Sequence, residues 1–154
     1  MFGVHVLTDS VFVCQDLDMR SDDPTVDVDS AHAAIVQAES LLSVGRAGLG
    51  RSRPADVWEV QAVQPLAALL FAASPVGNGQ GMDWVRAALA NVDPEDVRSP
   101  GWAYAALWCS VSAPVLGQSV VRTLTCDCRQ RDSIVAAVRA AIDTDGPLGQ
   151  RRCG

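Results

Sequence analysis

The segment from Asp56 to Leu89 constrains the fold of this chain more than any other part of the sequence. It opens with a Trp-bearing stretch, DVWEVQAVQ, and continues into an apolar run rich in Ala and Leu, PLAALLFAASPV. The Gly-rich stretch GNGQG then precedes a second Trp-bearing stretch, MDWVRAAL. Ala and Leu are strong helix formers and favour closely packed helices over a β-sandwich. The segment therefore predicts two helices joined by a glycine-rich loop.

Composition fits one domain and excludes some chemistry. The chain has 154 residues, of which 49% are hydrophobic, enough for a folded core. All 12 basic residues are Arg, so there is no Lys to form a Schiff base or to reach a nucleotide phosphate. The loop GNGQGMD also lacks the GK[ST] sequence of a P-loop. We therefore expect no ATP binding and no cofactor.

Apolar periodicity and capping residues predict an all-α bundle of five or six helices. Pro65 predicts a kink or break, and Pro114 and Gly117 are expected to disturb the chain before the fifth helix. Asp127 is expected to cap the last helix. The predicted helices run from Asp29 or Ser30 to Ser43, from Pro54 or Ala55 to about Ser74, from Met82 to Leu89 or Ala90, from Trp102 to about Val111, from Gln118 to Leu124 and from Arg129 to Ile142.

The two ends of the chain have a different character. Alternating valines between Phe2 and Leu17, around the turn Thr8-Asp9-Ser10, predict a short hairpin or two extended segments. The polar stretch that follows predicts a loop, and the Gly/Pro/Arg-rich end predicts a flexible tail. The expected organisation is an N-terminal extended element and acidic loop (1–29), a helical domain (30–142) and a tail (143–154).

Charge is unevenly distributed along an acidic chain of net charge −6. Such a chain is a poor non-specific binder of nucleic acid, although a local Arg face stays possible. The acids of the N-terminal loop lack the Gly and Glu positions of an EF-hand and predict a solvated loop. They are Asp16, Asp18, Asp22, Asp23, Asp27 and Asp29.

Cysteine and histidine patterns predict neither a metal site nor a nucleophile. Cys126-x-Cys128 is too closely spaced for a zinc hook, and Cys14, Cys109 and Cys153 add no second pair. Neither His5 nor His32 has a catalytic partner at a defining spacing. An odd number of cysteines without a signal peptide favours reduced thiols and a cytoplasmic location. The apolar run from Val63 to Val76 is too short to cross a membrane.

The order of motifs resembles a known helical domain. A helix A-x-x-A-x-x-L-L (Ala31 to Leu42) is followed by D-x-W-x-x-Q-A-x-x-x-L-A-x-L-L-F-A-A, by G-M-x-W-V, and finally by R-Q-R-D-S-I-V-A-A-V-R-A-A-I. From about Ser30 to Ile142 this resembles the all-α domain inserted in the ATPase of conjugative coupling proteins of type IV secretion (TraG/TraD class), especially actinobacterial ones.

The resemblance implies recognition without a motor. In that family the all-α domain lies at the cytoplasmic mouth of a hexameric ATPase and is thought to contact the DNA–protein substrate. The Walker motifs of the motor are missing from this sequence. What the resemblance implies is therefore a non-enzymatic recognition or adaptor module of a mobile-element DNA-transfer system, contacting DNA or a relaxosome-like protein.

Two sets of residues are candidates for that contact. Trp84 beside Arg86 could stack on single-stranded DNA, although burial in the core is the commoner fate of Trp58, Trp84, Trp102 and Trp108. Arginines near the last helix could contact a DNA backbone, or could form surface ion pairs such as Arg131-Asp132 and Asp127-Arg131. These arginines are Arg122, Arg129, Arg131 and Arg139.

The alternative function is a helical protein–protein interaction protein with no nucleic-acid role. One shared face of unpaired arginines favours DNA, whereas ion-paired arginines with an exposed apolar patch favour a protein partner. A small enzyme is the least favoured class, because no catalytic constellation is visible.

Overall fold

The prediction of an all-α bundle is confirmed. The structure is a computed structural model that describes residues 23–48 and 56–144, and within these ranges it contains six helices and no strand. The predicted N-terminal hairpin, and the predicted tail beyond Thr144, lie outside the described residues. The helices are α1 (Ala31–Gly48), α2 (Val57–Ala73), α3 (Gly81–Leu89), α4 (Trp102–Ser112), α5 (Pro114–Thr125) and α6 (Cys128–Thr144).

Helix α2 is the centre of the bundle. It contacts each of the other five helices, and every residue from Pro65 to Ala73 is buried. A helix that is apolar on all sides has no solvated face and must be enclosed by its neighbours. The Ala/Leu-rich run of the sequence is therefore the axis around which the domain is built.

Side-chain caps fix where three helices begin. Ser30 Oγ accepts a hydrogen bond from Ala33 N at 3.1 Å. Asp56 Oδ1 accepts from Glu59 N at 2.9 Å, while the Glu59 carboxylate accepts from Asp56 N at 2.8 Å, which completes a capping box. Asp127 Oδ1 accepts from Arg129 N at 2.8 Å, as predicted. Each cap satisfies helix N–H groups that would otherwise lack partners.

Pro65 does not break α2, so the part of the prediction that allowed a break is wrong. The helix is continuous from Val57 to Ala73 with Pro65 inside it. Proline removes one N–H and crowds the carbonyl four residues earlier. Burial of the following residues against all five neighbouring helices stabilises the helix enough to offset this cost.

The expected disturbance before the fifth helix is confined to Ala113, which is not helical, and the part of the prediction that concerned Gly117 is wrong. Pro114 is the first residue of α5, where the missing N–H is not needed. Gly117 lies against α4: a Cβ there would be 3.0 Å from Ala106 O and 3.1 Å from Ser110 N. The glycine allows two helix backbones to approach closely, because a larger side chain would hold them apart.

The first and last helices are longer than predicted. α1 continues through Gly45 to Gly48, and α6 continues through Asp143 to Thr144. Helix α6 contributes an apolar stripe to the core, since Ile134, Val138, Ala141 and Ile142 are buried. Helix boundaries are the features that local sequence signals fix least well.

One acidic residue of the N-terminal loop is structural, which corrects the prediction of a solvated loop at that position. Asp23 Oδ1 accepts hydrogen bonds from Thr25 N at 2.9 Å and from Thr25 Oγ1 at 2.6 Å. Its other carboxylate oxygen, Oδ2, accepts from Met82 N at 3.2 Å. Asp27 and Asp29 are exposed, as expected. The segment before α1 is thereby held against the start of α3.

Candidate functional site

Helix α4 has two apolar stripes, and only one of them is covered. Trp102, Ala105, Ala106 and Cys109 follow helical spacing and are buried in the core. Another set at the same spacing lies towards solvent. This outer stripe of α4 consists of Tyr104, Leu107, Trp108 and Val111.

The exposure of the outer stripe is large for side chains of this type. Leu107 is 56% exposed and Trp108 is 37% exposed. Val111 is 86% exposed, which leaves almost its whole side chain in water. Single exposed apolar residues are common on protein surfaces, whereas a row of them at helical spacing marks an interaction site. The prediction that all four tryptophans are core anchors is therefore wrong for Trp108.

A depression of about 500 Å³ runs along the outer stripe. Its far wall is Val97, in the loop between α3 and α4. That loop is braced by Asn91, whose Nδ2 donates to Asp96 Oδ2 and to Pro100 O, each at 3.1 Å. Hydrogen bonds from the backbone N–H groups of Ser99 and Arg98 lower the pKa of the Asp96 carboxyl below its ordinary value. The bracing holds the loop, and with it Val97, against α4.

Helix α4, and helix α5 as far as Val121, carry no charged side chain. From Gly101 to Val121 the sequence has no Asp, Glu, Lys, Arg or His. Helix α5 adds two further exposed valines, Val115 and Val121. Water solvates such a surface poorly, and a charged partner would lose hydration there without gaining an ion pair.

Trp84 supports this surface from beneath and is not a stacking platform. It is 4% exposed, so the base-stacking interpretation of this residue is wrong. Its ring lies 5.2 Å, centroid to centroid, from the Tyr104 ring at an interplanar angle of 55°. This tilted arrangement is a favourable aromatic contact and fixes the Tyr104 ring in the outer stripe. Arg86, the predicted partner of Trp84, instead lies 3.6 Å from Asp83 Oδ1.

The candidate arginines do not form one face. On α6, Arg129 and Arg131 are two positions apart, which separates them by roughly 200° around the helix axis. Arg131 is half-buried and its Nε lies 3.8 Å from Asp132 Oδ1, as the ion-pair alternative predicted. The Asp127 carboxylate caps α6, and no ion pair joins it to Arg131. Within residues 23–48 and 56–144, Arg122, Arg129 and Arg139 are exposed and have no ion-pair partner.

The described cysteines are separate thiols in different environments. Cys109 is buried in α4, with Sγ 3.6 Å from Ala68 O, and burial raises its pKa to about 12. Cys126 is half-buried and Cys128 is exposed; both are free. In the described part of the chain, no three His, Cys, Asp or Glu side chains come together in a way that could hold a metal ion.

Comparison of the chain with protein-family models, with curated proteins and with solved structures found no significant match. The resemblance to coupling-protein domains therefore stays a prediction. Among the helices that the structure describes, none has the length and apolar character needed to cross a membrane.

Sequence reasoning missed the outer stripe, although the sequence carried its signal. The stretch WAYAALWCSVS is apolar at two sets of helical positions, where a helix on the surface of a bundle needs only one. The second set was the indication that one side of α4 is not covered by the bundle.

Proposed function

We propose that this chain is a non-enzymatic recognition or adaptor module that binds another protein through the outer stripe of α4. The observation that carries the proposal is the outer stripe, in which Leu107, Trp108 and Val111 are exposed and Tyr104 is half-buried, in a stretch without charged residues from Gly101 to Val121. Fully burying one large apolar side chain contributes roughly 1.5–3 kcal/mol. Trp is also the residue type most enriched among interface side chains that dominate binding.

The occupant we propose is the apolar face of a partner's amphipathic helix. An exposed helical row presents ridges and grooves into which a second helix can pack. The depression beside Val97 would receive one large apolar side chain. The absence of charge from Gly101 to Val121 supports a partner whose contact residues are also uncharged.

The arrangement of the arginines supports a protein partner over DNA. Arg86 and Arg131 are engaged with Asp83 and Asp132, and Arg129 projects from α6 on the side away from Arg131. A net charge of −6 opposes non-specific attraction to phosphates. Few arginines are left to act together on a DNA backbone.

The setting we propose is the cytoplasmic side of a mobile-element DNA-transfer system, where the partner would be a protein of that system. This part of the proposal rests on the resemblance of residues 30–142 to the coupling-protein domain. The free thiols of Cys109, Cys126 and Cys128 fit a reducing compartment.

The test is partner capture with a matched pair of variants. Val111→Asp places a charge in the outer stripe, whereas Val36→Asp places the same charge on α1 at another exposed valine. Each tagged protein is incubated with extract of the native host, with and without nuclease treatment, and retained proteins are identified by mass spectrometry. We expect one protein to be retained by the native chain and by Val36→Asp, and to be lost with Val111→Asp.

Three other outcomes would redirect the proposal. Retention that is equal for both variants would remove the outer stripe as the contact. Self-association of the native chain in sedimentation velocity, abolished by Val111→Asp, would identify a second copy as the occupant. Retention that disappears on nuclease treatment would favour the DNA-contacting alternative.

A further inference from the structure

A second concave surface lies on another part of the bundle, between α1, α2, α5 and α6. This cleft encloses about 640 Å³, which is within the range of small-molecule sites, ~300–1,000 Å³. None of the outer-stripe residues lines it. Its floor is apolar and includes the buried side chains of Pro65 and Ile134.

Pro65 gives the floor of the cleft an unusual polar feature. Because proline has no N–H, the carbonyl of Gln61 receives no helical hydrogen bond from position 65. The Gln61 side chain is exposed and lines the same cleft. A backbone acceptor and a side-chain amide thus lie next to each other on α2.

The hydroxyl and thiol hydrogens in the cleft are already engaged. Ser119 Oγ donates to Leu116 O at 2.6 Å, and Thr123 Oγ1 donates to Ser119 O at 2.9 Å. Cys126 Sγ donates to Thr123 O at 3.0 Å. These groups line the cleft without offering a donor to a ligand.

The groups that stay available are two opposite charges and three amides. Glu39 projects from α1 and Arg122 from α5, and no ion pair joins them. Each glutamine amide presents one acceptor and two donors, which is the complement of a peptide group. The three amides are those of Gln61, Gln64 and Gln130.

We propose that this cleft binds a short zwitterionic peptide. Arg122 receives the ligand's carboxylate, since a guanidinium and a carboxylate form paired, charge-assisted hydrogen bonds. Glu39 receives its ammonium group, and the glutamine amides pair with its peptide groups. An apolar side chain of the ligand lies on Pro65 and Ile134. The site is independent of the outer stripe, so either proposal can fail without the other.

The experiment uses the tripeptide glycyl-leucyl-glycine and two blocked forms of it. ¹H–¹⁵N NMR titration of the full chain measures affinity and locates the perturbed residues. We expect perturbation of the glutamine amides of the cleft, and about tenfold weaker binding when the carboxylate is amidated or when the amine is acetylated.

Protein variants test which charged side chain of the cleft binds which end of the tripeptide. Arg122→Gln should weaken the free tripeptide about tenfold and leave no further loss on amidation, because the same contact is already gone. Glu39→Gln should also weaken binding of the free tripeptide about tenfold, and acetylation of the peptide amine should then cause no further loss. Arg139→Gln, an exposed arginine outside the cleft, is the control and should change neither affinity.

The proposal is overturned if the free tripeptide produces no shifts in the cleft, or if free and blocked peptides bind equally. Additive losses from amidation and Arg122→Gln would also overturn it, because they would place the carboxylate elsewhere. Circular dichroism of each variant tests for unfolding. We expect unchanged spectra, because Glu39 and Arg122 are both exposed.

Discussion

The Asp23 carboxylate accepts a hydrogen bond from the Met82 backbone N–H, across a separation of 59 positions in the chain. Gln80, the residue before α3, makes no capping hydrogen bond with its own side chain. Asp23 supplies the missing acceptor from outside the helix, and its negative charge lies at the helix end that favours an anion. The contact joins the segment before α1 to the far side of the α2–α3 turn.

Replacing Asp23 with Ala should lower the free energy of unfolding by about 1 kcal/mol, the usual effect of losing a helix cap. Urea denaturation followed by circular dichroism measures the change. Asp27→Ala removes an exposed acid from the same segment and should change stability by no more than a few tenths of a kcal/mol. Equal stability of the two variants would show that the Asp23 cap contributes nothing.

Gly117→Val should destabilise the domain by about 2 kcal/mol, because the added carbons meet backbone atoms of α4. Those atoms cannot rotate away as a flexible side chain would. Ala136→Val introduces the same side chain at an exposed position within α6 and should cost only a few tenths of a kcal/mol, and the helix propensity of valine is higher than that of glycine. Thermal unfolding of both variants tests this, and similar melting temperatures would contradict the close approach of α4 and α5.

Val138→Asp should unfold the domain or nearly so, since Val138 is completely buried and an aspartate there would be a charge without a partner. Far-ultraviolet circular dichroism at neutral pH measures the loss of helix. Val36→Asp, at an exposed position on α1, should keep its native spectrum. A soluble, fully helical Val138→Asp protein would mean that α6 is packed in a different orientation.

The Cys109 thiol should resist alkylation in the folded protein while Cys128 reacts, because only a thiolate is an effective nucleophile. Burial raises the pKa of Cys109 from its ordinary value of 9.0 to about 12, so at pH 8 it is a buried, neutral thiol. Peptide mass spectrometry after iodoacetamide treatment distinguishes the two sites. Rapid native-state labelling of Cys109 would contradict its burial.

The same shift predicts the direction of a pH dependence. The folded-state pKa is higher than the unfolded value, so the protonated thiol stabilises the fold fully below about pH 9, and this contribution is lost as the pH rises towards about 12. Cys109→Ala should reduce the fall in stability over that alkaline range. An equally steep fall in this variant would assign the alkaline loss to other groups.

Binding to DNA should be weak and should disappear at physiological ionic strength, because the free arginines are few and the net charge of the chain is −6. Fluorescence anisotropy with single- and double-stranded oligonucleotides measures it. Arg129→Glu and Arg122→Glu should then have little effect. Tight binding at physiological salt that either change abolishes, with Val111→Asp unaffected, would restore DNA as the proposed ligand.

Local signals in the sequence predicted most of the helices. Asp127 and the glycines after Ser74 act within a few residues of their positions, so their effect can be identified without knowing the fold. Asp56 was missed as a cap, and the second helix was expected to open at Pro54 or Ala55 rather than at Val57. Pro114 follows the expected interruption and itself opens the fifth helix. Gly117 was misread, because a glycine that can interrupt a helix can also allow a close neighbouring backbone. Only the position of α4 distinguishes these roles.

The candidate site was less predictable, because it depends on which faces the bundle leaves uncovered. The sequence shows that α4 is apolar on two sides, but the tertiary arrangement decides that Ala105 is buried and Val111 is not. The role of Asp23 is also non-local, since nothing near it in sequence indicates Met82. The cleft at Pro65 requires four helices to come together before its charges and amides share one space.

The close approach at Gly117 has a consequence for how fast and how tightly a partner can bind. Ala113 alone separates α4 from α5, and its N–H donates to Cys109 O at 2.7 Å. With Trp84 also behind Tyr104, the outer stripe is preorganised and loses little conformational entropy on association. Any conformational change on binding would then occur in the proposed partner. The association rate should therefore depend on the flexibility of that partner rather than on that of this chain.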